Sequence, residues 1–387
     1  MKLVHLSDLH IGKMLHGYSL KEDQRYILHQ IVEQVQRLMP DAVVIAGDVY
    51  DKSAPSGEAV SLFDEFLTEL SEVKPVPEVM IIAGNHDSMD RLNYAGTLLK
   101  KLHLHFACYL PKTPEEYLQK VTLQDGYGAV DFYLLPFCKP GYVRQLFPEG
   151  AIADYHSAIQ AMIEREQIRT DHRNVLVSHQ FYTSGTEKPE CCDSELPSLN
   201  VGGLDNVDVS AVRQFDYVAL GHIHGRQRIG ADHIRYCGTP LKYSVSESRY
   251  QKSMTVVTLG EKGTAPVIEE IPLHPLRDVR TIRGEFADVI VMDRSEDYIS
   301  VTLTDETEMA YRPVEQLKER FPQLLEVNVD NTRTRSRMQP TEAMGVLQSP
   351  MELFAQFYRE RHGYGLNAEQ EAYIQEILDE IEEEVRT

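Results

Sequence analysis

Three apolar runs in the first half of the chain set its frame. Ala42-Val-Val-Ile-Ala46 is β-branched and unbroken, and Val79-Met-Ile-Ile-Ala83 and Asn174-Val-Leu-Val-Ser178 repeat the arrangement. A strand with one wet face alternates apolar with polar residues; runs without alternation suit strands covered on both faces. Phe215 to Leu220 is another such run, and Lys2 to Leu6 alternates into a short strand. Between them, Lys21 to Leu38 places Ile27, Leu28, Ile31, Val35 and Leu38 at helical spacing. Gly57 to Ser71 does the same with Val60, Phe63, Leu67 and Leu70, and Leu92 to Leu102 also reads as a helix. Further strands are expected at His233 to Cys237, Met254 to Leu259 and Val267 to Ile271. The pattern is that of an α/β domain over residues 1–274.

From about Pro275 the texture changes. Strands at Ile299 to Thr304 and Leu324 to Val329 around a short helix, Val314 to Phe321, predict a small α+β domain over 275–338. Arg333 to Arg337 reads as a basic linker, and 339–387 as two amphipathic helices. Ser349-Pro-Met-Glu352 has the form of a capping box and opens the first, carrying Met351, Phe354, Phe357 and Tyr358 and ended by Gly363 and Gly365. Asn367-Ala-Glu-Gln370 opens the second, with Ile374, Ile377, Leu378, Ile381 and Val385 on one stripe. Two short helices behind a linker cannot bury these faces alone, so a partner is expected.

The 387 residues carry a formal charge of −21, which argues against a stand-alone nucleic-acid binder. Any nucleic acid would have to be drawn by bound metal, a local basic patch or a partner. The five cysteines lack C-x-x-C spacing, against a zinc ribbon. The amino end carries an acid and two imidazoles where a signal peptide needs an apolar region, and no run is long enough to span a bilayer. A cytoplasmic protein with no membrane partner is the expectation.

Chemistry gathers where the strands end. Asp8 and His10 follow Lys2 to Leu6; Gly47-Asp48-Val-Tyr-Asp51 follows the second strand and Gly84-Asn-His-Asp87 the third. His179 ends the fourth, and Gly221-His-Ile-His224 follows the last, Gly221 letting the chain turn. In α/β folds, loops at the carboxyl ends of strands are where sites are assembled. A divalent pair needs a bridging carboxylate, and Asp48, at the end of a central strand, is the natural bridge. Carboxylates, imidazoles and one carboxamide together accept Mn or Fe rather than a thiolate-bound zinc. Such a pair can hold a phosphate and lower the pKa of an attacking water, which is phosphoester hydrolysis.

These motifs, in this order and spacing, resemble the calcineurin-like metallophosphoesterase family, a β-sandwich flanked by helices. More narrowly, Gly84-Asn-His-Asp87, the stretch Tyr236-Cys-Gly-Thr-Pro-Leu-Lys-Tyr-Ser244 and the small second domain resemble its DNA-nuclease branch, over essentially the whole chain. The resemblance implies one metal on Asp8, His10, Asp48 and His224 and another on Asp48, Asn85, His179 and His222, with Mn2+ the leading ion and Mg2+ or Fe the alternatives. It makes His86 the general acid, oriented by Asp51 or Asp87. It further implies a double-strand exonuclease and hairpin or single-strand endonuclease in DNA repair and recombination. Such a nuclease is nucleoid-associated, admits DNA beneath the 275–338 domain as a cap, and is a homodimer within a heterotetramer. The dimer would form through helices near Phe63 or Leu67, and the C-terminal helices would dock on a coiled-coil ATPase. Lys13, Arg91, Lys139 and Arg226 stand beside the motifs as candidate phosphate contacts. The competing readings are a phosphomonoesterase, a protein phosphatase or a cyclic-nucleotide phosphodiesterase of the same fold, and a scaffold whose metals only stabilise it. Phosphatases of the family usually carry arginine where this chain has Lys52.

Overall fold

The computed structural model describes residues 1–195, 205–306, 312–332 and 334, and, nearer the end, residues 351, 354, 355, 358, 359, 365–367, 370–375, 377 and 378. The chain divides into two compact units, Met1–Leu303 with Met309–Asn328, and Thr304–Glu308 with Val329–Thr387.

Two six-stranded sheets make the body of the first unit. One runs Val267–Pro272, Ser253–Thr258, Lys2–Leu6, Ala42–Ala46, Glu78–Ile82, Leu104–Ala107, its last four strands parallel. The other runs Gln227–Ile229, Ala231–Tyr236, Tyr217–Gly221, Arg173–His179, Gly128–Leu135, Gln119–Asp125, parallel through its four central strands and closed by antiparallel edges. The unbroken apolar runs now have a cause. Val44 and Ala46 pack inward with Met80, Phe132, Val177 and Ala219 between the sheets, whereas Val43 and Ile45 pack outward under the helices Lys21–Leu38 and Gly57–Glu72. Helix Tyr155–Glu164 covers the second sheet in the same way through Ile159 and Met162. Polar groups also cross the seam, among them buried His5, which meets the Tyr217 hydroxyl at 2.9 Å and the Leu220 carbonyl at 3.1 Å. Burial drives its pKa down to about 3, so it stays neutral.

Two helical expectations need correction. On Gly57–Glu72, Phe63, Leu67 and Leu70 are buried but Val60 is 46% exposed, off the stripe. Phe63 and Leu67 are therefore occupied within the chain. Residues 92–102 are not one helix but short turns, Met89–Leu92, Gly96–Leu99 and a tight Lys100–Leu102, interrupted at Ala95 with φ of 59°. Asn93 and Gly96 favour a turn over a continuous helix, and Tyr94, Leu98 and Leu102 are left exposed.

The small domain is a three-stranded sheet, Val279–Gly284, Tyr298–Leu303 and Leu324–Val329, with helix Pro313–Arg320 over a core of Val289, Ile299, Val301, Leu317 and Phe321. It is fastened to helix Lys21–Leu38 through buried Asp23, which accepts from Arg277 Nε at 3.0 Å, Arg277 Nη2 at 2.7 Å and the Tyr298 hydroxyl at 2.8 Å. In the second unit, Asn367 and Gln370 cap one another, Gln370 N to Asn367 Oδ1 at 2.9 Å and Asn367 N to Gln370 Oε1 at 3.0 Å, as the motif predicts. Ser349, Glu352, Phe357, Gly363, Ile381 and Val385 of the expected helices lie outside the described residues. Among the described residues no helix is long and apolar enough to cross a membrane.

Candidate metal centre

The parallel strands of both sheets end on one edge, and their loops are laced together. Asp8 N donates to the Gly47 carbonyl at 3.0 Å, His10 N to Asp48 O at 3.0 Å and Ile11 N to Val49 O at 2.9 Å. The turns are strained: Asp8, His10, Asp48 and His222 have φ of 52°, 43°, 50° and 99°, a region that L-residues visit at a cost of about 1–3 kcal/mol each. The last of these revises the part expected of Gly221, since the turn falls at His222. Gly221 is needed instead because a Cβ there would overlap the Ala46 carbonyl oxygen where the two sheets meet.

Asp48 lies at the middle of the assembled side chains. Its Oδ2 is 3.3 Å from His179 Nε2, 3.8 Å from His10 Nε2 and 4.0 Å from His86 Nε2, while Oδ1 accepts from His86 N at 2.8 Å. Asn85 Oδ1 is 2.9 Å from both His179 Nε2 and His222 Nδ1. His10 Nε2 and His224 Nε2 are 3.2 Å apart, and Asp8 accepts from His222 N at 3.0 and 3.1 Å. His179 Nδ1 donates to the Ala46 carbonyl at 2.7 Å, so in its neutral form Nε2 turns a bare lone pair toward two oxygen acceptors. Lone pairs converging in this way repel unless a cation or a proton stands among them.

Three sets, Asp8 with His10 and His224, Asp8 with Asp48 and His179, and, toward the rim, His10 with Asp51 and His86, each bring one ligand atom per residue within 4.8 Å of the others. Among the described residues, buried His10 Nδ1 has no hydrogen-bond partner. The donor set fits a hard to borderline divalent ion.

The electrostatics of the protein alone say the same. Burial works against charge on His179, but Asp48 overrides it and pushes the pKa up to about 9. Burial likewise opposes ionisation of Asp48, yet His179 and the other imidazoles hold it well below the usual carboxylate range. His222 is driven down to about 3 by burial, reinforced by His179. Asp48 and His179 thus favour a shared proton between them, while burial also raises the Asp8 carboxyl.

His86 sits at the rim, its side chain 32% exposed, with Nδ1 donating to the Asp51 main-chain carbonyl at 2.9 Å. Of the two residues expected to orient it, Asp51 meets the ring, through its main-chain oxygen. Asp51 pairs with Lys13 at 2.8 Å. Asp87 ties the loops by accepting from Gly84 N, Tyr50 N and Val49 N at 2.9, 3.0 and 3.1 Å, and burial, then the Asp48 charge, raises it to about 6. Of the other cations, Arg226 is engaged by Glu270 at 3.1 Å and Lys139 lies over the Phe137 ring at 5.9 Å. The sequence reading missed a layer behind His224 made by Ser194, Glu195, Glu247 and Lys252; the one signal was that Glu247 and Lys252 closely follow the Tyr236–Ser244 motif. A cavity of ≈ 560 Å³ lined by Arg226, Arg249, Tyr250 and Lys252 adjoins the centre at His224 without containing it.

Residues 1–226 match the family described as calcineurin-like phosphoesterase, and residues 275–362 match a domain described as type 5 capsule protein repressor C-terminal domain. Two curated relatives, each bearing the name of the SbcD subunit of nuclease SbcCD, are 33% identical over 333 residues (Staphylococcus epidermidis) and 33% over 331 residues (Staphylococcus saprophyticus subsp. saprophyticus). In both cases 84% of this chain and 84% of the relative are covered. Among solved structures, GAP50 of Plasmodium is 12% identical at a TM-score of 0.40, covering 86% of this chain and 98% of that one. A dimetal phosphatase from Danio rerio is also 12% identical, at 0.37, covering 71% and 99%.

Proposed function

The chain belongs to the calcineurin-like phosphoesterase family, and we propose that it is the metal-dependent nuclease subunit of an SbcC/SbcD-type complex, hydrolysing phosphodiesters at double-stranded DNA ends and hairpins. The carrying observation is the convergence of the Asp48, Asn85, His179 and His222 side chains through contacts of 2.9 to 3.3 Å, in a chain 33% identical to curated nuclease subunits. Asp8, His10, Asp48 and His224 would hold one divalent cation and Asp48, Asn85, His179 and His222 the other, with Mn2+ the leading candidate. Such cations would neutralise the phosphate and lower the pKa of an attacking water toward neutrality.

The protein's own part is orientation and proton supply. His86 must carry its Nδ1 hydrogen, because its partner is a carbonyl oxygen; Nε2, toward the centre, is then the atom from which a protonated ring donates to the leaving oxygen. Asp87 holds the loop bearing Asn85 and His86 against the Asp48 loop, so its effect is on position. The 275–338 domain, fastened through Asp23, would cap the centre and help admit DNA. The C-terminal helices would dock on the SbcC ATPase. Exposed Tyr94, Leu98 and Leu102 support a homodimer, within a heterotetramer acting in the cytoplasm at the nucleoid.

The test is cleavage of end-labelled linear and hairpin DNA and of a chromogenic phosphate monoester, with Mn2+ or Mg2+, with and without SbcC. Cut DNA that depends on the ion is expected. Strong monoesterase activity with intact DNA would overturn the nuclease reading in favour of a phosphatase.

A further inference from the structure

Behind the centre lies a group of buried charges that hydrolysis does not use. Glu247 is wholly buried, Glu195 and Lys252 nearly so. Buried ions persist only where they are fully paired, so their partners carry information. Glu247 Oε1 accepts from Ser194 Oγ at 2.9 Å, Ser244 Oγ at 2.9 Å and Tyr243 N at 3.1 Å; Oε2 accepts from Lys252 Nζ at 2.5 Å. Lys252 Nζ and Tyr243 N can only donate, one to each oxygen, so the carboxylate needs no proton of its own and the serine hydroxyls donate to it.

Counting hydrogens then settles the next link. Ser194 has one hydroxyl hydrogen, and the contact with an ionised carboxylate uses it. Ser194 Oγ is also 2.8 Å from His224 Nδ1, and the hydrogen in that contact must come from the imidazole. His224 therefore carries Nδ1–H and presents a bare Nε2, the atom 3.2 Å from His10 Nε2. The main chain of the same residue is held too. Its N–H donates to the Glu195 carboxylate, whose other oxygen accepts from Cys192 N at 2.7 Å, and its carbonyl accepts from Lys252 Nζ at 2.9 Å. His179 has its tautomer fixed by a backbone carbonyl, whereas His224 depends on side chains from two other stretches of sequence.

We propose that Ser194 and Glu247, anchored by Lys252, are positioning residues that lock His224 in its Nδ1–H tautomer and so set the affinity of the cation position it serves. The inference rests on the metal-centre reading above. Partners of this kind are worth about 10–100-fold in metal affinity. Occupancy of one position then depends on the Cys191–Glu195 loop, outside the strand-end motifs.

The experiment uses the full chain stripped by chelator. Mn2+ binding is followed by calorimetry and electron paramagnetic resonance in wild type, Ser194→Ala, Ser194→Thr and Glu247→Gln, and the histidine tautomers of the metal-free chain by ¹⁵N NMR, with the His224 signal identified by its loss in His224→Asn. Ser194→Ala should weaken one of two Mn2+ classes about 10–100-fold and leave the other and the melting temperature unchanged. Ser194→Thr should restore it, and wild-type His224 should be protonated at Nδ1. Glu247→Gln leaves Lys252 buried without its counter-charge, so the decision rests on Ser194. Two unchanged classes in Ser194→Ala, or a wild-type His224 protonated at Nε2, overturns the proposal. If wild type binds no Mn2+, the metal reading fails instead, while the tautomer measurement still judges the relay.

Discussion

With its pKa pushed up to about 9 by Asp48, His179 should hold a proton in the metal-free chain that a divalent ion must displace. Its Nδ1 hydrogen is committed to the Ala46 carbonyl, so the titrating atom is Nε2, 3.3 Å from Asp48 Oδ2 and 2.9 Å from Asn85 Oδ1. With the pKa pushed up to about 9, Nε2 is free in about one molecule in a hundred at pH 7 and about one in ten at pH 8. Apparent Mn2+ affinity should therefore rise about tenfold from pH 7 to 8, about fivefold from 8 to 9, and then level off. Metal-free stability should move oppositely. Between the unfolded value of 6.5 and about 9 the folded chain binds a proton that the unfolded chain does not. The resulting stabilisation, about 3 kcal/mol, is fully present below pH 6.5 and lost as pH rises through 9. Calorimetry at pH 7.5 in two buffers of different ionisation enthalpy should count about one proton released as the His179 position fills. Denaturant unfolding at pH 6.5 and 9, with chelator and with saturating Mn2+, should show the trend reversing when metal is present. Affinity that is flat from pH 7 to 9 with no proton release would refute a proton shared between Asp48 and His179.

Asp48→Asn keeps the acceptor for His86 N but removes the central charge, so both cations and all cleavage should be lost; two metals per chain by elemental analysis would contradict the bridge. His86→Ala should keep its metal while losing about a hundredfold or more in rate, and a parallel fall in metal content would make His86 a ligand. Leu98→Asp, at a position 62% exposed, should shift sedimentation from dimer to monomer without lowering the melting temperature; an unchanged dimer would move the interface elsewhere. Truncation after Gln339 should leave Mn2+ binding and hydrolysis of small phosphodiesters intact while abolishing co-purification with SbcC, and retained binding would assign the tail another role.

The ligands were legible because each stands at the end of a strand, Asp8 and His10 after an alternating one and the others after runs that a doubly covered strand explains, and parallel pairing sets those ends side by side. Pattern failed where contacts rather than periodicity decide. Gln119–Asp125 is an edge strand whose apolar residues are too few to announce it, and Tyr94-Ala-Gly96 breaks a stretch that spacing alone makes helical. His86 is oriented by the Asp51 carbonyl, and no side-chain motif can report a backbone partner. Glu247 is the sharpest case. Ser244-Val-Ser-Glu-Ser-Arg-Tyr250 reads as a polar surface loop, yet its glutamate is wholly buried, because Lys252, Ser194 and Tyr243 arrive from three directions to replace water. An ionised side chain in that position makes sense only through what it orients. The strand ends specify which atoms face the centre, and in the relay proposed above the loops behind His224 specify which of those atoms is free of hydrogen.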